Sequence, residues 1–169
     1  MSTSTLPTRT ARGGKYLTFA LGREEYGLAI LKVREIIGCM EITAVPRTPS
    51  YVTGVINLRG QVISVIDLRL KFGMEAAPRT EATCIIVVEI QQENTRFSTG
   101  VIVDRVSEVL GIPGDNIEDA PNFGTAGDFI LGLGKIGKSV KILLDIDRIL
   151  NTSDITTIQA AGRAAGAKL

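Results

Sequence analysis

The chain has 169 residues, 44% hydrophobic and 22% charged, an ordinary globular composition that suits one compact domain or two small ones sharing a core. It contains no histidine, which excludes Ser-His and Cys-His nucleophile pairs, phosphohistidine chemistry and His-ligated metals. The formal net charge is +1, but Arg9, Arg12, Lys15 and Arg23 all precede the first acid, Glu24, and from there on 15 basic residues face 18 acidic ones. That body offers no basic nucleic-acid face, and 5% aromatics with no Trp make a poor base-stacking platform.

Cys39 and Cys84 form no CxxC and no zinc set, so they read as small inert hydrophobes in a reducing, cytoplasmic setting. No cofactor is implied, and no apolar run approaches the roughly 18 residues of a membrane helix. Residues 1–14, rich in Ser and Thr and lacking acids, read as a disordered tail. Lys15–Leu21 reads as a first strand, Gly54–Leu58 and Gln61–Ile66 as a hairpin turning near Gly60, and Thr83–Ile90 as a further strand. Ile130–Ile136 and Ser139–Leu144 read as another hairpin turning near Gly137. Asp67 and Asp145 each follow a strand and are placed as N-caps of short helices. Residues 152–169 read as a tail that begins with one short helix.

The sequence repeats itself. Gly27–Gly38 overlays Gly100–Gly111 without gaps, matching Gly27 to Gly100, Val33 to Val106, Glu35 to Glu108 and Gly38 to Gly111, an offset of 73 residues. Gly54–Leu68 overlays Gly132–Ile146 at an offset of 78, matching Val65 to Leu143, Ile66 to Leu144 and Asp67 to Asp145. One unit of roughly 75 residues used twice is marginal alone, so two such units should pack together. The fold class expected is all-β: two pseudo-repeated five-stranded small barrels around a shared hydrophobic core, with short helices. The expected domain is 15–151, divided into subdomains at about 15–80 and 81–151. The seam between them is the natural groove.

Gly132–Ser139 (GLGKIGKS) matches the phosphate-binding pattern GxxxxGK[ST], whose backbone amides and Lys cradle phosphates at the start of a helix. Here a strand-like run follows it, and the repeat assigns it to a hairpin, so nucleotide binding is the disfavoured alternative. No catalytic residue and no metal site can be assembled. Asn57-Leu58-Arg59-Gly60 reads first as a turn with a solvated Arg, and second as a polar handle at a groove mouth with Glu35 as partner. Ile30, Val33, Ile36, Val103, Val106 and Val109 read first as plain core, and second as an apolar seam lining.

Several stretches together resemble the CheW family of bacterial chemotaxis couplers: Phe19–Leu28 (FALGREEYGL), Ile30–Gly38 (ILKVREIIG), Gly54–Arg69 (GVINLRGQVISVIDLR), Val101–Val109 (VIVDRVSEV) and Leu131–Ile136 (LGLGKI). The resemblance covers about Lys15 to Asn151. It implies two packed SH3-like barrels and a non-enzymatic scaffold. Such scaffolds join the helical cytoplasmic tips of chemoreceptors to the regulatory domain of the histidine kinase CheA, in receptor arrays that touch the membrane only through the receptors. By matching positions it places Ile30, Val33, Glu35, Arg59, Val106 and Val109 in a receptor-binding groove, and more loosely Gly38 and Gly54 on the kinase-facing side. With no histidine and no spare length, the chain reads as the stand-alone coupler.

Overall fold

A computed structural model describes residues 12–92, 94–119 and 129–149. The strands are β1 (Gly14–Leu21), β2 (Glu24–Ala29), β3 (Val33–Gly38), β4 (Val52–Leu58), β5 (Gln61–Asp67), β6 (Cys84–Gln92), β7 (Thr95–Val103), β8 (Arg105–Ile112), β9 (Ile117–Glu118), β10 (Ile130–Ile136) and β11 (Ser139–Leu144). Two four-residue helices, α1 (Leu68–Lys71) and α2 (Ile146–Ile149), follow β5 and β11, and a 3-10 turn, Ile30–Lys32, joins β2 to β3. One sheet has the order β3-β6-β7-β5-β4 and the other β8-β1-β2-β11-β10-β9. The fold is all-β, as expected. The six-stranded sheet exceeds the expected five by the two-residue β9.

The duplication is written in the register. In the parallel pair β2–β11, Gly27 faces Leu143; in the parallel pair β7–β5, Gly100 faces Val65. These are the positions that the two sequence offsets equate. Substituting each strand by its copy turns the order β8-β1-β2-β11-β10 into β3-β6-β7-β5-β4, so the two sheets are copies of one arrangement. Each sheet, however, takes strands from both halves of the chain. The boundary near residue 80 therefore separates repeats in sequence, while the sheets interleave them.

Three apolar layers result from side chains alternating across each sheet. Ile56, Ile63, Val65, Ile85, Val87 and Ile102 form a cluster on the five-stranded sheet. Tyr16, Ile112, Ile117 and Leu143 do the same for the six-stranded one. Between the sheets lies the shared core, which includes Leu17, Phe19, Leu28, Ile66, Ile86, Val101 and Leu144. Phe72 of the first repeat stacks on Phe129 of the second, ring centroids 5.0 Å apart.

The caps behave as expected. Asp67 accepts the Arg69 backbone N–H at 2.9 Å, and Asp145 accepts that of Asp147 at 3.2 Å. Arg12 is buried; it donates to the Leu131 carbonyl at 2.7 Å and pairs with Asp119 at 2.7 Å, which ties the start of β1 to β10. The segment 152–169 lies outside the described residues.

Candidate functional site

The β4–β5 hairpin turns through Arg59 (φ 53°) and Gly60 (φ 86°), a type I′ turn, and Asn57 Oδ1 accepts the Gly60 N–H at 2.8 Å. An Arg in the left-handed region is strained by about 1 kcal/mol. The equivalent hairpin β10–β11 places Gly137 (φ 58°) where the first repeat has Arg59. One copy thus uses the unstrained residue, and the other keeps a cation there. Arg59 forms an ion pair with Glu35 of β3. The partnership expected from sequence is therefore present.

Arg59 and Glu35 rim a cleft of about 220 Å³ at the open end of the five-stranded sheet, with Arg34, Gln61 and Ser98 completing the polar rim over Ile63 and Val87. Adjacent residues of a regular strand point to opposite faces, yet Arg34 and Glu35 both line this cleft. The cause is a β-bulge: Val33 pairs with Val88 and Glu35 with Val87, leaving Arg34 as the extra residue. Arg34 donates to Glu89 at 3.0 Å, and Arg96 reaches the other oxygen of Glu89 at 3.6 Å. Strict alternation hides Arg34 from sequence reasoning, and nothing local points to Arg96.

The apolar positions divide. Ile30, Val33 and Val106 are half-buried and pack on the shared core. Val109 is 49% exposed, and its repeat equivalent Ile36 is 43% exposed; both lie on the outermost strands β8 and β3. The structure thus collects Glu35 and Arg59 at the cleft, sets Ile30, Val33 and Val106 against the core between the sheets, and leaves Val109 half exposed. Gly38 is exposed at the end of β3 opposite Cys84. Gly54 is buried, and a Cβ there would overlap the Thr43 carbonyl oxygen, which accepts the Val55 N–H at 2.9 Å. Its role in the chain is close backbone approach.

Further charged pairs join the repeats. Asp104 accepts from Arg69 Nε and Nη2 at 2.8 and 2.6 Å and from the Gly22 N–H at 2.8 Å. Those hydrogen bonds, from Arg69 above all, hold its carboxyl below the usual aspartate range. Lys32 pairs with Asp147 at 2.9 Å across the other helix. Glu25 accepts from Lys141 at 2.6 Å, which lowers its pKa. Burial, and then Asp147, raise that of Asp145.

The GxxxxGK[ST] match occupies β10, the Gly137-Lys138 turn and the start of β11. A hairpin cannot present the ring of amides that a helix start supplies, so the nucleotide alternative has no support. Among the described residues no three His, Cys, Asp or Glu are grouped to hold a metal, and no helix is long and apolar enough to cross a membrane.

The chain is thus a duplicated β module whose outermost strands carry exposed apolar residues and whose five-stranded sheet holds a charge-rimmed cleft. Residues 15–154 match the family model of the CheW-like domain. The chain is 37% identical over 154 residues to the chemotaxis protein CheW of Klebsiella aerogenes, covering 90% of each, and 35% identical to that of Helicobacter pylori, covering 80% and 81%. Among solved structures it is similar to the scaffolding protein TtCheW of Thermoanaerobacter tengcongensis, with a TM-score of 0.75, 34% identity and coverage of 84% of this chain and 95% of that one. The chain therefore belongs to the CheW-like family, whose members are chemotaxis scaffolds and adaptors rather than enzymes.

Proposed function

We propose that this chain couples the cytoplasmic hairpin tips of chemoreceptors to the regulatory domain of the histidine kinase CheA, in cytoplasmic arrays that meet the membrane through the receptors alone. The observation that carries the reading is Arg59: a left-handed arginine at a hairpin tip, paired with Glu35, where the copied hairpin uses glycine. A non-glycine residue strained in this way beside an open cleft points to a functional constraint. The apolar part of the receptor contact comes from Val109 and from the exposed edges of Ile30, Val33 and Val106, with the receptor helix laid along them. The charged pair sets register more than affinity. The kinase domain engages strand ends and loops near Gly38, with Gly54 shaping the neighbouring backbone. Each contact is individually weak, and an array multiplies them through effective concentration.

Reconstitution of kinase, receptor fragment and this chain tests the reading. Arg59→Glu removes the pair and sets two carboxylates side by side; receptor-dependent kinase activation should fall to the level seen without coupler. Full activation by the variant reduces Arg59 to a turn residue.

A further inference from the structure

We propose that Arg34 and Arg96 extend the Arg59 cleft into a carboxylate-recognition site, and that its occupant is an acidic side chain on the docked receptor tip; this rests on the receptor-docking reading above. Two independent backbone irregularities, the bulge at Arg34 and the left-handed Arg59, bring guanidinium groups to the same cleft rim. Either irregularity alone is ordinary. Their convergence is what a recognition site requires, since bulges re-aim side chains next to such sites.

The charges are layered. The guanidinium-bearing side chains of Arg34, Arg59 and Arg96 are 56%, 70% and 63% exposed, while Glu35 and Glu89 beneath them are each 30% exposed. A partner therefore meets cations first. Among the described residues the cluster holds three cations and two carboxylates, so one carboxylate from outside balances it without displacing either glutamate. Guanidinium forks bind carboxylates with directional, charge-assisted hydrogen bonds. A cleft of about 220 Å³ is smaller than drug-sized ligand pockets and suits the end of one side chain.

The six-stranded sheet lacks the converging pair. Ser107 stands where the five-stranded sheet has Arg34, and Gly137 where it has Arg59, while Arg23 repeats Arg96 in the sequence. There Lys141 and Glu25 satisfy each other at 2.6 Å, at the places occupied in the five-stranded sheet by Ile63 and Ser98. The anion site is thus a property of one sheet, which gives the pseudo-symmetric module a direction.

The test is titration of a receptor-tip fragment onto the whole chain at salt concentrations from roughly 50 to 300 mM, across which exposed charge contacts are progressively screened. Arg34→Gln and Arg96→Gln should each weaken binding about three- to tenfold at the lowest salt and flatten its salt dependence. Lys135→Gln, which removes a similarly exposed cation from the six-stranded sheet, should do neither. Unchanged affinity and salt slope in both arginine variants, or an equal loss in Lys135→Gln, overturns the site. A wild-type chain that fails to bind the fragment at any salt overturns the receptor-docking reading itself.

Discussion

Gly100 lies flat against Val65, strand to strand, with no room for a side chain between them. A Cβ on Gly100 would stand 2.8 Å from Ile85 Cγ2 and 3.3 Å from Val65 Cγ2. Gly27 repeats the relationship in the other sheet, where a Cβ would stand 2.9 Å from Leu143 Cδ2. The two glycines anchor the places where β2 and β7 each meet a strand of the other sequence repeat. Both contacts are tight, but they differ in compliance: Ile85 Cγ2 sits on a stiff β-branched carbon, while a leucine tip can swing. Gly100→Ala should therefore destabilise by about 1–3 kcal/mol and Gly27→Ala by less, as overpacking does. Urea unfolding of both variants checks the order.

Thr99 is fully buried, and its Oγ1 has no hydrogen-bond partner. An unmatched buried hydroxyl is costly, and valine has the same shape. Thr99→Val should raise stability by about 1 kcal/mol. An unchanged or lower unfolding midpoint would contradict the assignment of that hydroxyl as unsatisfied.

The acid limb of stability should follow Asp104. Its carboxyl titrates below the unfolded value because Arg69 and then the Gly22 N–H favour the charged form, with burial opposing them. The unfolded chain then binds the proton more tightly, so the stabilisation is present above about pH 4 and drains away as pH falls through the folded value. Glu25, held down by Lys141, has the same sign. Asp145 has the opposite sign: its raised pKa makes its charge oppose folding at neutral pH, an opposition relieved on protonation. Asp104→Asn should lose stability near about pH 7 yet decline less steeply than wild type towards about pH 3. An equally steep decline would exclude Asp104 as the linked group.

Val109→Asp is a cleaner probe of the proposed receptor contact than Val33→Asp. Val33 packs on the shared core, so a carboxylate there would weaken the fold along with any docking, while Val109 is half exposed on an outermost strand. Val109→Asp should reduce retention of a receptor-tip fragment about tenfold with an unfolding midpoint close to wild type. Unchanged retention would remove Val109 from the receptor surface.

Much of this architecture is legible in the sequence because it is a matter of local pattern. Offsets of 73 and 78 residues equate the positions that the two sheets use alike, Gly27 with Gly100 and Val65 with Leu143, and Asp67 and Asp145 cap their helices as their positions imply. The exchange of strands between repeats is not legible. Two similar copies present similar edges, so pairing within a repeat and pairing across repeats satisfy the same local preferences, and the difference lies in chain geometry alone. The Arg59–Glu35 pair is readable because both charges lie beside apolar runs, where each needs a counter-charge. Arg34 is not, because a bulge breaks the period-two rule on which face assignment depends.

The strain at Arg59 separates folding from function. Arg59→Asn creates an Asn-Gly turn, the favoured type I′ pair, and gives up an ion pair whose arginine is 70% exposed and so contributes little. The most direct measurement of the central claim compares the unfolding free energy of this variant with its receptor-dependent kinase activation in the reconstituted complex. The account predicts a gain of about 0.5–1 kcal/mol in stability together with loss of most of the activation. A variant that is more stable and still activates the kinase fully would contradict it.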